Sequence, residues 1–422
     1  KEKRMIRDDM EKTRLDWYFT GSVFLFLALS VNVPSGYTYG AVMLLLGSFY
    51  ALKKRSLPKF PTLIWAIFVV MVAYSLGWMI DGIIRGEGVS DMDRPSRVLF
   101  GAICLLAVSQ VRVSQKAIWL GLIIGGSGAG LVTTWQKVID SNARPNAYAT
   151  GIIQFGNLSM MLGLMCLCGI FWAMHQRRST LWLLAIVTGG LGGIIASLLS
   201  GSRGAWLVLP AALIIAYWAA KKKQVQRQFY AAIFLIPTAI TLLFVFLGEA
   251  NLKGRMTTAV NEYSAYIAGE GRTTSVGYRL EMWRGAWQLF QEKPILGHGE
   301  MEYRSRMMEL EGAGFLAPGT GSFAHPHSHW LEPLAKNGVI GFFVTGSLFL
   351  LPFLWFLGTL KMNDEEYFSL NLAGMTMPVV LTFSGLTHTH FTSMNGVMMY
   401  SFLTAVLVGT TARRYFGRQQ KK

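Results

Sequence analysis

Residues 61–80 read PTLIWAIFVVMVAYSLGWMI, a run without one charged side chain. A helix crossing the hydrocarbon of a bilayer needs roughly 20 mostly apolar residues, so this stretch decides the class of fold. The chain repeats it. With 60–80, similar stretches at about 16–34, 37–52, 97–111, 117–136, 149–174, 180–199, 205–220, 229–248, 338–360, 369–387 and 392–412 give twelve expected spans. Composition agrees: 52% of the 422 residues are hydrophobic and 15% charged, against about 25% charged in a soluble domain. The apolar content excludes a disordered chain, and three cysteines exclude a disulfide scaffold. The expected fold class is an all-α polytopic membrane protein.

The formal charge of +16 would suit nucleic acid, but its distribution points elsewhere. Lys and Arg cluster in alternate connections: Lys1–Arg14, Lys53 to Lys59, Arg112 with Lys116, Arg177–Arg178, Lys221 to Arg227, Lys361, and the tail from Arg413. These hold 24 of the 39 basic residues. The positive-inside rule assigns that side to the cytoplasm, with both termini there and anionic lipid attraction as a secondary use. The sequence begins at Lys1, so the natural start is expected upstream.

The spans divide the chain into 1–248 (nine spans), 249–330 (a long outer loop), and 331–422 (three spans and a cytoplasmic tail). The loop carries eight Lys or Arg and nine Glu, so it is aqueous. Loops this long in a compact architecture are usually functional. Met256, Val260, Tyr263 and Ile267 recur at helical spacing, as do Val276, Leu280, Trp283, Trp287 and Phe290, with Ser275 as a cap and Pro294 as a stop. These two helices either lie in the interface with aromatic faces toward lipid or pack as a lid on the bundle. Cys104, Cys166 and Cys168 fall within spans and read as packed thiols.

The spans hold essentially no ionisable groups between their ends, which weakens an ion-coupled carrier. Chemistry collects on the outer side instead, with six of the seven histidines: His298, His325, His327, His329, His388 and His390. The densest group is Phe323-Ala-His-Pro-His-Ser-His-Trp-Leu331. On an extended segment His325, His327 and His329 face one way and suit zinc, although no Cys or carboxylate set completes a familiar spacing. Alternatively, one of them acts as a general base. Ser328 is a good N-cap for a short helix ending at Asn337–Gly338. A histidine just before that helix meets the positive end of its dipole, which keeps the imidazole neutral and favours His327.

Two arginines stand out. Arg203 lies in Leu199-Ser-Gly-Ser-Arg-Gly-Ala-Trp206, between two spans with almost no loop, where a cation needs an anionic partner. Arg279 borders the apolar stripe of the second loop helix. Snorkelling or a Glu pair is the plain reading of each; together they suit a lipid diphosphate, which guanidinium groups match in a fork. Asp91 and Asp93, with Asp81 nearby, form a weaker candidate for Mg²⁺.

At this point the residues resemble the O-antigen ligase and polymerase superfamily. The likeness rests on Ser200, Ser202, Arg203, Gly204 and Trp206; then Arg279, Trp283, Ala286, Pro294, Gly297 and Gly299; then His327, Trp330, Leu331, Gly338 and Gly341. These cover about 198–341, in the family's order. Ser328 departs from the Asn the family often has there.

The resemblance implies a GT-C-like membrane glycosyltransferase of the bacterial inner membrane. Such an enzyme works on the periplasmic face without metal or cofactor. It takes O-antigen from undecaprenyl diphosphate and gives it to lipid A–core, with inversion. His327 is then the general base and Arg203 and Arg279 the diphosphate ligands, with Ser202, His325, His329 and Trp283 as further substrate contacts. Protein-glycosylating relatives tend to be longer at the C-terminus, so the ligase is favoured. An O-antigen polymerase or a protein O-oligosaccharyltransferase is the alternative, and a lipid-linked glycan carrier the non-enzyme one.

Overall fold

The computed structural model describes residues 2–54, 60–86, 88–142, 144–148, 150–223, 252–361, 364 and 366–419. The expected span 229–248 lies outside the described residues, as do Arg55, Lys59 and Arg227 of the basic clusters. Among the described residues the regular structure is helical: α1 Glu2–Leu29, α2 Tyr37–Lys54, α3 Thr62–Ile84, α4 Asp93–Val108, α5 Gln115–Val138, α6 Ile152–Leu167, α7 Ile170–Met174, α8 Ser179–Ser200 and α9 Leu209–Lys223. The outer loop forms α10 Leu252–Ile267, α11 Ser275–Glu292 and α12 Gly299–Gly312. The chain continues through α13 Leu331–Lys361, α14 Phe368–Ser384 and α15 Met394–Gln419.

Among the described residues, six helices are long and apolar enough to cross a membrane: α3, α5, the α6–α7 run, α8, α13 and α15. The shorter α14 is also apolar. The expected spans near α1, α2 and α4 are helical too, but α4 is short and begins Asp93-Arg94, and α2 ends in Lys53-Lys54. The outward side chains are apolar as well. On α3, Ile64, Ile67, Met71 and Tyr74 are buried, while Val69, Leu76, Ile80 and Ile83 are exposed. A helix apolar on its outer face is one solvated by lipid. α6 and α15 are the most enclosed spans and form the middle of the bundle. α5 and α8 touch through glycines; a Cβ at Gly126 would stand 2.1 Å from the Gly189 carbonyl oxygen, the small-residue packing of membrane helices.

One end of the bundle gathers the basic connections. Arg112 N donates to Asp16, Arg413 to the Gln110 carbonyl, Lys222 to the Leu360 carbonyl, and Arg414 pairs with Asp364 at 3.0 Å. The opposite end, called outer below, carries the loop helices. There α11 buries Met282, Ala286 and Leu289; Ala286 and Leu289 form a small second core with Tyr303, Met307, Leu316 and Ala335. The loop is therefore a lid on the bundle. Val260, Tyr263, Ile267 and Trp287 remain exposed on it.

The cap of α11 is Thr274, whose hydroxyl accepts from Gly277 N at 3.1 Å, one residue before the expected Ser275. α12 has weak apolar periodicity, burying Gly299, Tyr303 and Met307. The interior of the lid is organised by Glu281, which is fully buried. It accepts from Arg272 at 2.6 Å, Tyr266 at 2.7 Å and Ala317 N at 2.7 Å. Burial opposes its charge, but these bonds together hold its carboxyl below the usual range.

Candidate active site

α13 begins as the sequence suggests. The Ser328 hydroxyl accepts from Leu331 N at 3.4 Å, and the first turns break at Gly338, where φ is 64°. A side chain at Gly338 would collide with the Ile295 carbonyl, 2.3 Å from its Cβ, so the Pro294–Gly299 motif is seated on this break. Val339 N donates to the Pro294 carbonyl at 2.8 Å.

The histidine segment enters this helix under restraint. Lys336 donates to the Ala324 carbonyl at 3.2 Å, Trp283 Nε1 to the Pro326 carbonyl at 3.0 Å, and His329 N to the Gly385 carbonyl at 2.8 Å. Between these anchors His327 adopts φ of 50°. A left-handed conformation costs a non-glycine residue on the order of 1 kcal/mol and persists only where its surroundings impose it.

That turn divides the three histidines. The rings of His325 and His327 meet at 4.4 Å, whereas His329 turns into the bundle against Phe349, Phe391 and His390. The same-face reading of all three fails because the backbone is not extended at His327. Among the described residues no group of three or more His, Cys, Asp or Glu side chains is arranged to hold a metal ion. The outer-face carboxylates pair with arginines instead: Asp81 with Arg85 at 2.8 Å, Asp91 with Arg94 at 3.9 Å, and Asp93 with Arg97.

His327 is half-buried and makes no hydrogen bond among the described residues. Burial, with the charges of His325 and Arg279, lowers it to about 4, so both its lone pair and its N–H are open to a substrate at neutral pH. His325 is likewise lowered to about 4, by burial and then Lys336.

Arg279 differs from its neighbours. On the same loop Arg272, Arg284, Lys293, Arg304 and Arg306 all pair with glutamates. Arg279 is half-buried and has no such pair among the described residues, so the Glu-pair reading does not hold for it. After burial and the neighbouring histidines, its charge adds to the lowering of both His327 and His388.

The third strand of the site comes from the bundle. Arg203 opens a 3-10 turn, Arg203–Val208, after Gly201; its side chain lies outside what the structure describes. Gly204 lets this turn close on Thr387, whose hydroxyl would stand 2.3 Å from a Cβ there. Ser202 is buried and donates to the Ile152 carbonyl at 3.1 Å, so its hydroxyl fixes the turn to α6.

Thr387 leads into His388, whose ring lies 6.5 Å from that of His327 and whose Nε2 bonds Gln154 Oε1 at 2.8 Å. Gln154 and His388 were not singled out from the sequence as site residues. A lone Gln inside the apolar stretch 149–174 was the available signal. Arg144 was also missed; it donates to the Ser200 carbonyl at 3.1 Å, beside the Ser-x-Ser-Arg turn. His298, by contrast, bonds the Leu289 carbonyl and Glu302 at 3.0 Å each and ties α11 to α12.

A polytopic helical membrane protein thus gathers, at its outer end, neutral histidines and an arginine unpaired among the described residues, from segments far apart in sequence. Residues 189–346, the region that holds Arg203, Arg279 and His327, match the family model described as O-antigen ligase. Members of the family are glycosyltransferase-like ligases and polymerases acting on lipid-linked polysaccharide. An uncharacterized protein of Haemophilus influenzae is 26% identical over 348 residues, covering 82% of this chain and 86% of its own.

Proposed function

We propose that this protein is an O-antigen ligase, a metal-independent inverting glycosyltransferase moving O-antigen from undecaprenyl diphosphate to lipid A–core. It acts at the periplasmic face of the bacterial inner membrane, with twelve spans in a GT-C-like arrangement and both termini cytoplasmic. The observation that carries the reading is Arg279, a cation with no ion-pair partner among the described residues, acting on a neutral His327 held in a left-handed turn. Such a pair offers anion binding and a free base side by side.

In the reaction His327 removes the proton of the acceptor hydroxyl as that oxygen attacks the anomeric carbon. The bond from that carbon to the diphosphate oxygen breaks, and undecaprenyl diphosphate leaves with the electron pair. Arg279 and Arg203 stabilise the charge growing on it, so no general acid is required. In-line attack inverts the anomeric centre. The bound diphosphate also raises the basicity of His327, since its charge offsets that of Arg279. Donor binding therefore primes the base. Trp283 holds the turn, Ser202 fixes the segment carrying Arg203, and His325 and His329 complete the substrate contacts.

The test is a reconstituted transfer assay with purified protein, undecaprenyl-diphosphate glycan and lipid A–core, in EDTA, with wild type beside His327→Ala. Product from the wild type alone supports the reading. Elongated glycan with unmodified lipid A–core would make the enzyme a polymerase, and equal rates in both proteins would remove His327 as the base.

A further inference from the structure

A second cleft opens beside the site, and none of Arg203, Arg279 or His327 lines it. It is an open cleft with a cavity volume of about 50 Å³, between α3, the turn before α4, α12 and α13. One wall is aromatic: Tyr74 and Trp78 stack with ring centroids 4.6 Å apart. The opposite wall is carboxylate, from Glu300 and Glu332, which share the Lys336 ammonium at 2.6 Å each. Asp91 and Arg94 close the side, and Arg94 also donates to the Thr392 carbonyl at 3.2 Å.

Two further groups face this space without partners. His329 and Thr345 are each only 2% exposed, and neither ring nitrogen of His329 nor the Thr345 hydroxyl has a hydrogen bond among the described residues. Buried polar atoms are nearly always bonded, so two such side chains converging on one cleft call for a ligand rich in hydroxyls. Its charge is constrained as well. Three carboxylates outnumber Lys336 and Arg94, which disfavours an anion, while carboxylates are good acceptors for hydroxyl protons. Stacked aromatic rings offer the apolar face that the C–H side of a sugar ring requires.

We infer that this cleft binds an uncharged pyranose of the acceptor glycan, an assignment that rests on the transfer reaction proposed above. His329 lines the cleft and lies two residues from His327, a chain distance of at most about 7 Å. A sugar seated there presents a hydroxyl toward the base, and the diphosphate is left to the Arg279 side. The charged and the neutral substrate thus occupy different surfaces divided by the His325–His329 segment.

Calorimetry on the full-length protein in detergent tests this with two probes, dephosphorylated lipid-free core oligosaccharide and inorganic diphosphate. Trp78→Ala and Thr345→Val are expected to weaken oligosaccharide binding at least tenfold and leave diphosphate binding unchanged. Asp91→Asn, at a half-buried position, serves if either variant unfolds at a lower temperature. Undiminished oligosaccharide binding in these variants, no binding by the wild type (a cleft that takes water only), or competition between the two probes for the cleft would overturn the assignment. The transfer assay separates the two readings. Trp78-dependent binding in a protein that transfers nothing keeps the cleft and removes the ligase, whereas transfer with an acceptor KM indifferent to Trp78 does the reverse.

Discussion

The indole Nε1 of Trp283 donates to the carbonyl oxygen of Pro326 at 3.0 Å, fastening the residue before His327 to the helix that carries Arg279. One hydrogen bond thus joins the His327 turn to the scaffold of Arg279. Trp283→Phe keeps most of the ring but removes the donor, and an intramolecular hydrogen bond contributes about 1 kcal/mol. The expected outcome is a modest loss of stability with a kcat reduced roughly tenfold and donor KM little changed. Steady-state kinetics beside a thermal unfolding curve measure both, and an unchanged kcat would show that the tether does not position the base.

His327→Asn should separate activity from stability. Asparagine tolerates the left-handed region better than most residues, so the variant is expected to unfold at the same or a slightly higher temperature. Loss of a general base removes about 10²- to 10⁴-fold in rate. A variant that is both active and no less stable would dismiss the base assignment.

Arg279 and Arg272 should respond in opposite ways. Arg279→Ala breaks no ion pair among the described residues, so stability is expected to hold while transfer falls at least a hundredfold; Arg279→Lys recovers little because a point charge lacks the fork. Arg272→Ala leaves the buried Glu281 carboxylate with fewer partners and is expected to cost about 2 kcal/mol. Chemical denaturation and transfer rates on both variants distinguish substrate binding from lid architecture.

Acid should destabilise the fold well before it protonates the folded histidines. Burial lowers His329 and His390 to about 3, while burial together with nearby positive charge lowers His325 and His327 to about 4. In the unfolded chain they titrate near 6.5. Below that value the unfolded state binds protons that the folded state refuses, so stability is full above about pH 6.5 and falls as pH drops toward 4 and 3. Unfolding curves at pH 7, 6, 5 and 4 check the slope, and His390→Gln should flatten it. The donor-free enzyme is expected to keep a neutral His327 down to about pH 4, with the acid limb of the rate profile moving upward once donor is bound.

Much of the architecture follows from local rules that the sequence obeys openly. Apolar runs of bilayer length such as 61–80 make helices because only internally bonded backbone is stable in hydrocarbon. Ser328 and Gly338 mark the ends of a short helix because capping and a left-handed break are decided within a few residues. The cap at Thr274 rather than Ser275, and the weakly periodic α12, show the limit of that reasoning. Both depend on packing against the lid core.

The candidate chemistry was legible as residue types, and Arg203, Arg279 and His327 could be singled out by charge, spacing and motif order. Their relations could not. That His327 turns left-handed follows from anchors at Trp283, Lys336 and Gly385, of which Trp283 and Gly385 are distant in sequence. That Arg279 is unpaired among the described residues, while its neighbours on the loop are paired, depends on which glutamates reach which cations in three dimensions. His388, Gln154 and the cleft of Tyr74, Trp78 and His329 are products of helix packing alone. The sequence by itself determined a membrane-embedded helical chain and where its titratable groups collect, because hydrophobic length and charge bias act locally. Only the tertiary structure decided which of those groups meet, which are neutral and which lack a partner, because those properties belong to contacts between segments the chain keeps far apart.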